Sequence, residues 1–318
     1  MITYILFVAG FVILILGAKF LVDGASSIGI KAGLSQFVIG ITVVALGTSL
    51  PELVINVLAS IDGNTGLAIG NVLGSNIMNT LLILGITAII YPIKVGNNVC
   101  KRDSWINLIA ILLLALLAND FIFGKNKNVI DTSDGIILLI FFIIMLYLLF
   151  SKSDANDNET SDSSIVAISL PKSILLIIAG SFGLFFGGSW IVDGAVEISK
   201  SFGVSQSTIG LTLVAMATSL PELVTSIVAA LKKNTDIAIG NVLGSNIFNI
   251  FLVLGASAVI HPIDFDGSLN GEIGILIVAS LFLMIVIRVG KTKRTITRLE
   301  GIFLTIGYFA FLFWSIFS

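Results

Sequence analysis

The stretch GTSLPELVINVLAS occupies residues 47–60 and ATSLPELVTSIVAA occupies residues 217–230, so the word TSLPELV occurs twice, 170 residues apart. A proline followed by a glutamate is an unusual insertion in so apolar a segment. Proline has no N–H, and its ring crowds the carbonyl four residues back. Pro51 therefore releases the oxygen of Gly47, and Pro221 that of Ala217, and each helix is predicted to break there. In lipid, an unsatisfied carbonyl costs several kcal/mol. It needs a cation, water or a protein donor.

The rest of the chain says that lipid is the surroundings. Of 318 residues, 56% are hydrophobic and 11% charged, and the mean hydropathy is +1.09. Apolar runs recur that are long enough to cross roughly 30 Å of hydrocarbon as helices, whereas the short alternating segments of a barrel are missing. The opening MITYILFVAGFVILILGAKF has no basic leader and no small-residue cleavage site, so it reads as a retained first helix. A net charge of −2 with scattered basic residues offers no nucleic-acid surface. The lone Cys100, without a second thiol or a His-rich partner, excludes an internal disulfide and argues against redox chemistry.

Apolar segments fall at about 2–30, 36–61, 66–92, 104–119, 133–151, 172–199, 206–231, 236–261, 270–290 and 298–317. The expected fold is an all-α integral membrane protein of ten transmembrane helices with discontinuous core helices. The polar run KSDANDNETSDSS at 152–164 divides the chain into a first unit, 1–151, an acidic linker, 152–171, and a second unit, 172–318. Residues 36–93 slide onto 206–263 without a gap and match at 34 of 58 positions, with AIGNVLGSNI identical at 68–77 and 238–247. The chain is an internal duplication. Five spans per unit is an odd number, so the two units are expected to be inverted. With both termini outside and the linker cytoplasmic, 13 of the 17 basic residues fall on the inner side, as the positive-inside rule asks.

Glu52 and Glu222 each stand one residue after the proline, some 16 residues into a span of about 26, which at 1.5 Å per residue is close to the midplane. An acid there costs roughly 3 kcal/mol unless a proton or cation accompanies it. Thr48 and Ser49 precede Glu52 by four and three residues, and Thr218 and Ser219 repeat this before Glu222, so helical spacing puts them on the acid's face. The word GNVLGSN adds Ser75 in one unit and Ser245 in the other, with Asn79 and Asn249 four residues beyond each serine. Its glycine pairs, Gly70 with Gly74 and Gly240 with Gly244, predict close helix contacts in both copies. Carboxylates, hydroxyls, amides and freed carbonyls are hard oxygen donors, suited to Ca²⁺, Na⁺ or Mg²⁺ rather than zinc or copper. Inverted repeats with broken helices meeting at the midplane are the layout of alternating-access transporters.

Paired GTSLPE/ATSLPE and GNVLGSN words resemble the repeats of the calcium/cation antiporter superfamily, most closely its prokaryotic sodium/calcium exchangers, over essentially the whole chain. The resemblance implies a calcium/sodium antiporter with no cofactor and no enzymatic activity, whose transported ions are Ca²⁺ and Na⁺ and which works as a monomer in the plasma membrane. By the same resemblance, Glu52 and Glu222 bind Ca²⁺ with the Thr48 and Thr218 carbonyls, while Ser49, Ser75, Ser219 and Ser245 with the carbonyls of Ala45 and Ala215 complete flanking Na⁺ sites. Several relatives carry an aspartate where this chain has Asn249, and Asn79 matches it here. That leaves two acids, which neutralise one Ca²⁺ or two Na⁺.

Rival readings are H⁺/Ca²⁺ exchange, a Ca²⁺ channel, and an intramembrane hydrolase with Ser49 or Ser219 as nucleophile. The hydrolase is discouraged because no His or Lys accompanies the serines at that depth. Asp23 and Asp193 recur in register near helix ends and read as capping or loop-pairing residues. Lys19 reads as snorkelling, and His261 as interfacial. Asn76 and Asn246 divide evenly between support of the break and ligation.

Overall fold

The computed structural model describes residues 2–120, 127–151, 168–201, 215–289 and 294–317. In chain order the helices are α1 (Ile2–Ala32), α2 (Gln36–Thr48), α3 (Leu50–Ile61), α4 (Thr65–Ile90), α5 (Ser104–Leu117), α6 (Thr132–Ser151), α7 (Leu170–Ser201), α8 (Ala215–Thr218), α9 (Leu220–Leu231), α10 (Thr235–Ile260), α11 (Asn270–Val289) and α12 (Arg298–Phe317). Among the described residues, six helices are long and apolar enough to cross a membrane, or seven when α2 and α3 count as one bent span. Residues 152–167 of the expected linker and 206–214 of the expected seventh span lie outside the described residues. α7 begins at Leu170, two residues inside the expected linker. A π turn at Val99–Asp103 leads into α5 ahead of its predicted start.

The predicted break is present, and it falls at the serine before the proline. Ser49 has φ −85° and ψ 6°, Ser219 has φ −91° and ψ 3°, and α2 and α3 meet at 48°. Pro51 and Pro221 sit in the first turn of the following helix, where a missing N–H leaves nothing unsatisfied. The two corners that follow are also built alike. Gly63 (φ 71°) and Lys233 (φ 59°) end α3 and α9 in the left-handed region. Asn64 and Asn234 then cap α4 and α10 through the N–H groups of Leu67 and Ile237, at 3.3 and 3.2 Å.

Three π segments went unsignalled by the hydrophobic pattern: Gly40–Val44 in α2, Met78–Ile83 in α4 and Phe248–Leu254 in α10. Asn79 and Asn249 lie in the latter two, where the extra residue per turn re-aims side chains.

The halves are interleaved. Cβ atoms added at Gly10, Gly17 and Gly24 of α1 would lie 2.8, 2.8 and 2.6 Å from the carbonyl oxygens of Gly187, Gly180 and Ser173 of α7. One number rises as the other falls, so α1 and α7 pack antiparallel, backbone on backbone, through small residues. Gly85 of α4 meets Gly301 of α12, and Gly255 of α10 meets Gly135 of α6. Strand β1 (Ile93–Lys94) pairs antiparallel with β4 (Thr295–Ile296), and β2 (Val129–Ile130) with β3 (Ile263–Asp264). Every one of these contacts joins one half to the other.

The expected small-residue surface forms at Gly240 and Gly244. At the crossing of α2 and α10, a Cβ on Gly240 would lie 2.8 Å from Phe37 O, and one on Gly244 would lie 2.7 Å from Ala45 Cβ. The residues equivalent to α2 that would face Gly70 and Gly74, 206–214, lie outside the described residues.

Candidate ion-binding site

The helix break delivers Glu52 and Glu222 to the first turns of α3 and α9, and both side chains are buried. Their surroundings come from both halves. Ser49 Oγ lies 2.9 Å from Glu222 Oε1 and 3.0 Å from Ser245 Oγ, and Ser245 Oγ lies 3.3 Å from the same carboxylate oxygen. These three oxygens form a triangle with two hydroxyl protons to share. Helical spacing alone would put Ser49 beside Glu52. Because Ser49 is the hinge residue, its side chain is turned across to the acid of the other half.

Thr48 Oγ1 reaches Asn241 Oδ1 at 3.1 Å, Ala45 O at 3.2 Å and Ser245 Oγ at 3.5 Å. The Ala45 carbonyl also accepts the N–H of Ser49 at 2.9 Å, and the single Thr48 hydroxyl proton serves either Ala45 O or Asn241 Oδ1 at any one time. Thr218 Oγ1 donates to Asn71 Oδ1 at 3.2 Å. Ala215 opens α8 at the edge of the described residues.

Other oxygens have no such partners. Both carboxylate oxygens of Glu52, Oε2 of Glu222, the hydroxyls of Ser75 and Ser219, both side-chain polar atoms of Asn79 and Oδ1 of Asn249 are buried and meet no hydrogen-bond partner among the described residues. Buried polar groups are otherwise nearly always paired. So many orphaned oxygens, in elements that converge on two acids, fit a cation held by hard donors. No cluster of three or more His, Cys, Asp or Glu occurs among the described residues, so the donor set is two carboxylates plus neutral oxygens. A cavity of about 240 Å³ between α3 and α7 reaches Pro51, Thr218 and Pro221 and has Asp193 on its wall.

Residues that the sequence reading missed support this set. Asn241 Nδ2 donates to Glu222 O at 3.3 Å and Ser226 Oγ at 3.0 Å. Asn71 Nδ2 donates to Asn56 Oδ1 at 2.6 Å, and Asn56 Nδ2 to Ala68 O at 2.9 Å. The signal was available, since Asn71 and Asn241 are the first asparagines of the repeated word GNVLGSN. Asn76 and Asn246 cross-link α4 and α10: Asn76 Nδ2 donates to Asn246 O at 3.3 Å, Asn246 Nδ2 to Thr80 Oγ1 at 2.8 Å, and Asn249 Nδ2 to Asn76 Oδ1 at 3.2 Å. Asp23 forms an ion pair with Lys232, which is the loop pairing expected of it, whereas Asp193 is exposed. Lys19 and His261 are exposed.

A family model described as sodium/calcium exchanger protein matches residues 2–151 and 172–317. The sodium/calcium exchanger MaX1 of Methanosarcina acetivorans is 33% identical, with 98% of this chain and 97% of that protein covered. The inner membrane protein YrbG of Escherichia coli is 36% identical over 82% of this chain and 81% of its own. A solved structure of the sodium-calcium exchanger NCX_Mj superimposes with a TM-score of 0.83 at 32% identity, covering 97% of each chain. With the model match spanning nearly every residue outside the linker, the chain belongs to the sodium/calcium exchanger family.

Proposed function

We propose that the chain is a secondary antiporter that expels Ca²⁺ in exchange for Na⁺, by alternating access to one site built around Glu52 and Glu222 near the bilayer midplane. The observation that carries this reading is the group of unpartnered buried oxygens around two acids drawn from opposite halves, joined directly by the Ser49–Glu222 hydrogen bond. Glu52 and Glu222 take Ca²⁺ together with the Thr48 and Thr218 carbonyls. Ser49, Ser75, Ser219 and Ser245, with the Ala45 and Ala215 carbonyls, serve Na⁺, and Asn79 and Asn249 complete the oxygen shell.

The coupling follows from charge. Two bare carboxylates in a low-dielectric site resist crossing the membrane, so only the loaded forms change sides. One Ca²⁺ or two Na⁺ neutralise the pair; a third Na⁺ would leave a charge of +1 and make exchange electrogenic. Asn79 and Asn249 offer no proton at the positions where an acid would, which favours Na⁺ over H⁺ as the coupling ion.

Alternating access fits ten helices in two inverted sets of five. Antiparallel α1 and α7, and the exchange of α6 and α12 between halves, support that arrangement. Both acids belong to one chain, so a monomer suffices. The charge bias of the loops places both termini outside and the linker in the cytoplasm. The test is ⁴⁵Ca²⁺ uptake into proteoliposomes under imposed Na⁺, K⁺ or H⁺ gradients. A Na⁺ gradient at fixed pH should drive uptake; uptake driven only by a proton gradient would replace this reading with H⁺/Ca²⁺ exchange, and uptake needing no counter-ion would make the protein a channel.

A further inference from the structure

Two corners of equivalent sequence have different surroundings. In the corner between α9 and α10, Asn234 is 1% exposed and Thr235, Asp236 and Ile237 are buried. In the equivalent corner between α3 and α4, Asp62 and Asn64 are exposed and Leu67 is 39% exposed. The buried corner is fastened to the end of α1. Lys232 Nζ pairs with Asp23, and Asn234 Nδ2 donates to Ser26 Oγ at 3.3 Å and to Gln36 Oε1 at 3.2 Å. Gln36 Nε2 in turn donates to Ser26 O at 3.2 Å. At the opposite end of the molecule, the 240 Å³ cavity separates α7 from the start of α3.

The duplication shows what closing that end would bring together. Adding 170 to Asp23 gives Asp193, and subtracting 170 from Lys232 gives Asp62. Ser26 corresponds to Val196, and Ser27 to Glu197, which is exposed. The contact that is an ion pair at one end would therefore be a meeting of two acids, Asp62 and Asp193, at the other. Like charges oppose the approach.

Resting on the alternating-access reading above, we propose that Asp23 and Lys232 form a one-sided latch: they hold the Lys232 end shut, while Asp193 and Asp62 penalise closure of the other. The protein without bound ions therefore rests open on the Asp193 side, which under the orientation given above is the outside. The pair is partly exposed, at 32% for Lys232 and 43% for Asp23, so its effect is modest, a bias of about two- to fivefold in population.

The test reads conformation directly, without transport. Ser189, which lines the cavity, becomes the sole cysteine in a Ser189→Cys, Cys100→Ala protein, labelled in proteoliposomes by a membrane-impermeant maleimide from the Asp193 side. Lys232→Asp is expected to slow labelling by about two- to fivefold or more, and Asp23→Lys added to it to restore the rate. Independently, Asp62→Lys is expected to slow labelling by supplying Asp193 with a partner, and Asp193→Asn to undo that effect. Labelling unmoved by Lys232→Asp and by Asp62→Lys overturns the latch, as does a loss that the exchanged pair fails to rescue. A protein whose labelling responds as described but which exchanges no Ca²⁺ for Na⁺ loses the transport reading alone. One that exchanges them with labelling blind to these charges loses the latch alone.

Discussion

Glu52 and Glu222 stand at the same place in two copies of one word, yet among the described residues only Glu222 is hydrogen-bonded by neighbouring side chains. Glu222 Oε1 has the hydroxyls of Ser49 and Ser245 beside it, and its backbone carbonyl accepts from Asn241. Neither carboxylate oxygen of Glu52 meets a partner among the described residues, nor do the hydroxyls of Ser219 and Ser75, the counterparts of Ser49 and Ser245. Identical local chemistry has been placed in two environments.

The largest test of this comparison removes each acid in turn. Glu52→Gln and Glu222→Gln should each bring ⁴⁵Ca²⁺ exchange down to that of protein-free liposomes, because either change leaves one carboxylate against a divalent ion. The two should nevertheless differ without ions. Neutralising Glu52 removes a buried acid with no donors, so Glu52→Gln should raise the Tm of the ion-free protein, while Glu222→Gln, whose neighbours are already arranged, should raise it less. Equal shifts would mean that the two environments are energetically the same.

Next in size are the hinge serines. A hydrogen bond to a charged group is worth about 1.5–3 kcal/mol, so Ser49→Ala should weaken apparent Ca²⁺ affinity by roughly 10- to 100-fold, measured as half-saturating Ca²⁺ in flux. In ion-free thermal unfolding, Ser219→Ala should be nearly silent where Ser49→Ala is not. Smaller again is the glycine pair. Gly240→Ala forces a methyl against Phe37 O and Ile41 N and should cost about 1–3 kcal/mol by overpacking, read as a lower Tm in detergent. The smallest effect belongs to His261, exposed and matched by Tyr91 in the other copy. His261→Tyr should leave stability within about 0.5 kcal/mol and exchange unchanged.

Much of the candidate site could be read from the chain because its chemistry is local. Pro51 and Pro221 must interrupt a helix wherever they are, and a glutamate beside each needs a counter-charge in lipid. What escaped was of two kinds. The π segments holding Asn79 and Asn249 differ from α-helix by one residue per turn, which leaves no mark on hydrophobic periodicity. Asn71 and Asn241 lay in plain view inside the repeated word, but their importance comes from partners such as Thr48 and Thr218 at distances of 193 and 147 residues, and spacing along one helix is silent about those. The hinge misled for a related reason: Ser49 obeys helical spacing toward Glu52 only if the helix continues through it, and it does not.

By itself the sequence determined the duplication, the apolar surroundings, where each core helix breaks and which hard oxygen donors each copy contributes, since these follow from short-range stereochemistry and from the cost of polar groups in hydrocarbon. Only the tertiary structure decided that Ser49 serves Glu222, that Asn234 is buried while Asn64 is exposed, and that Asp23 finds Lys232. Two identical words specify identical local structure and cannot encode a difference between themselves. That difference arises only when the halves pack together.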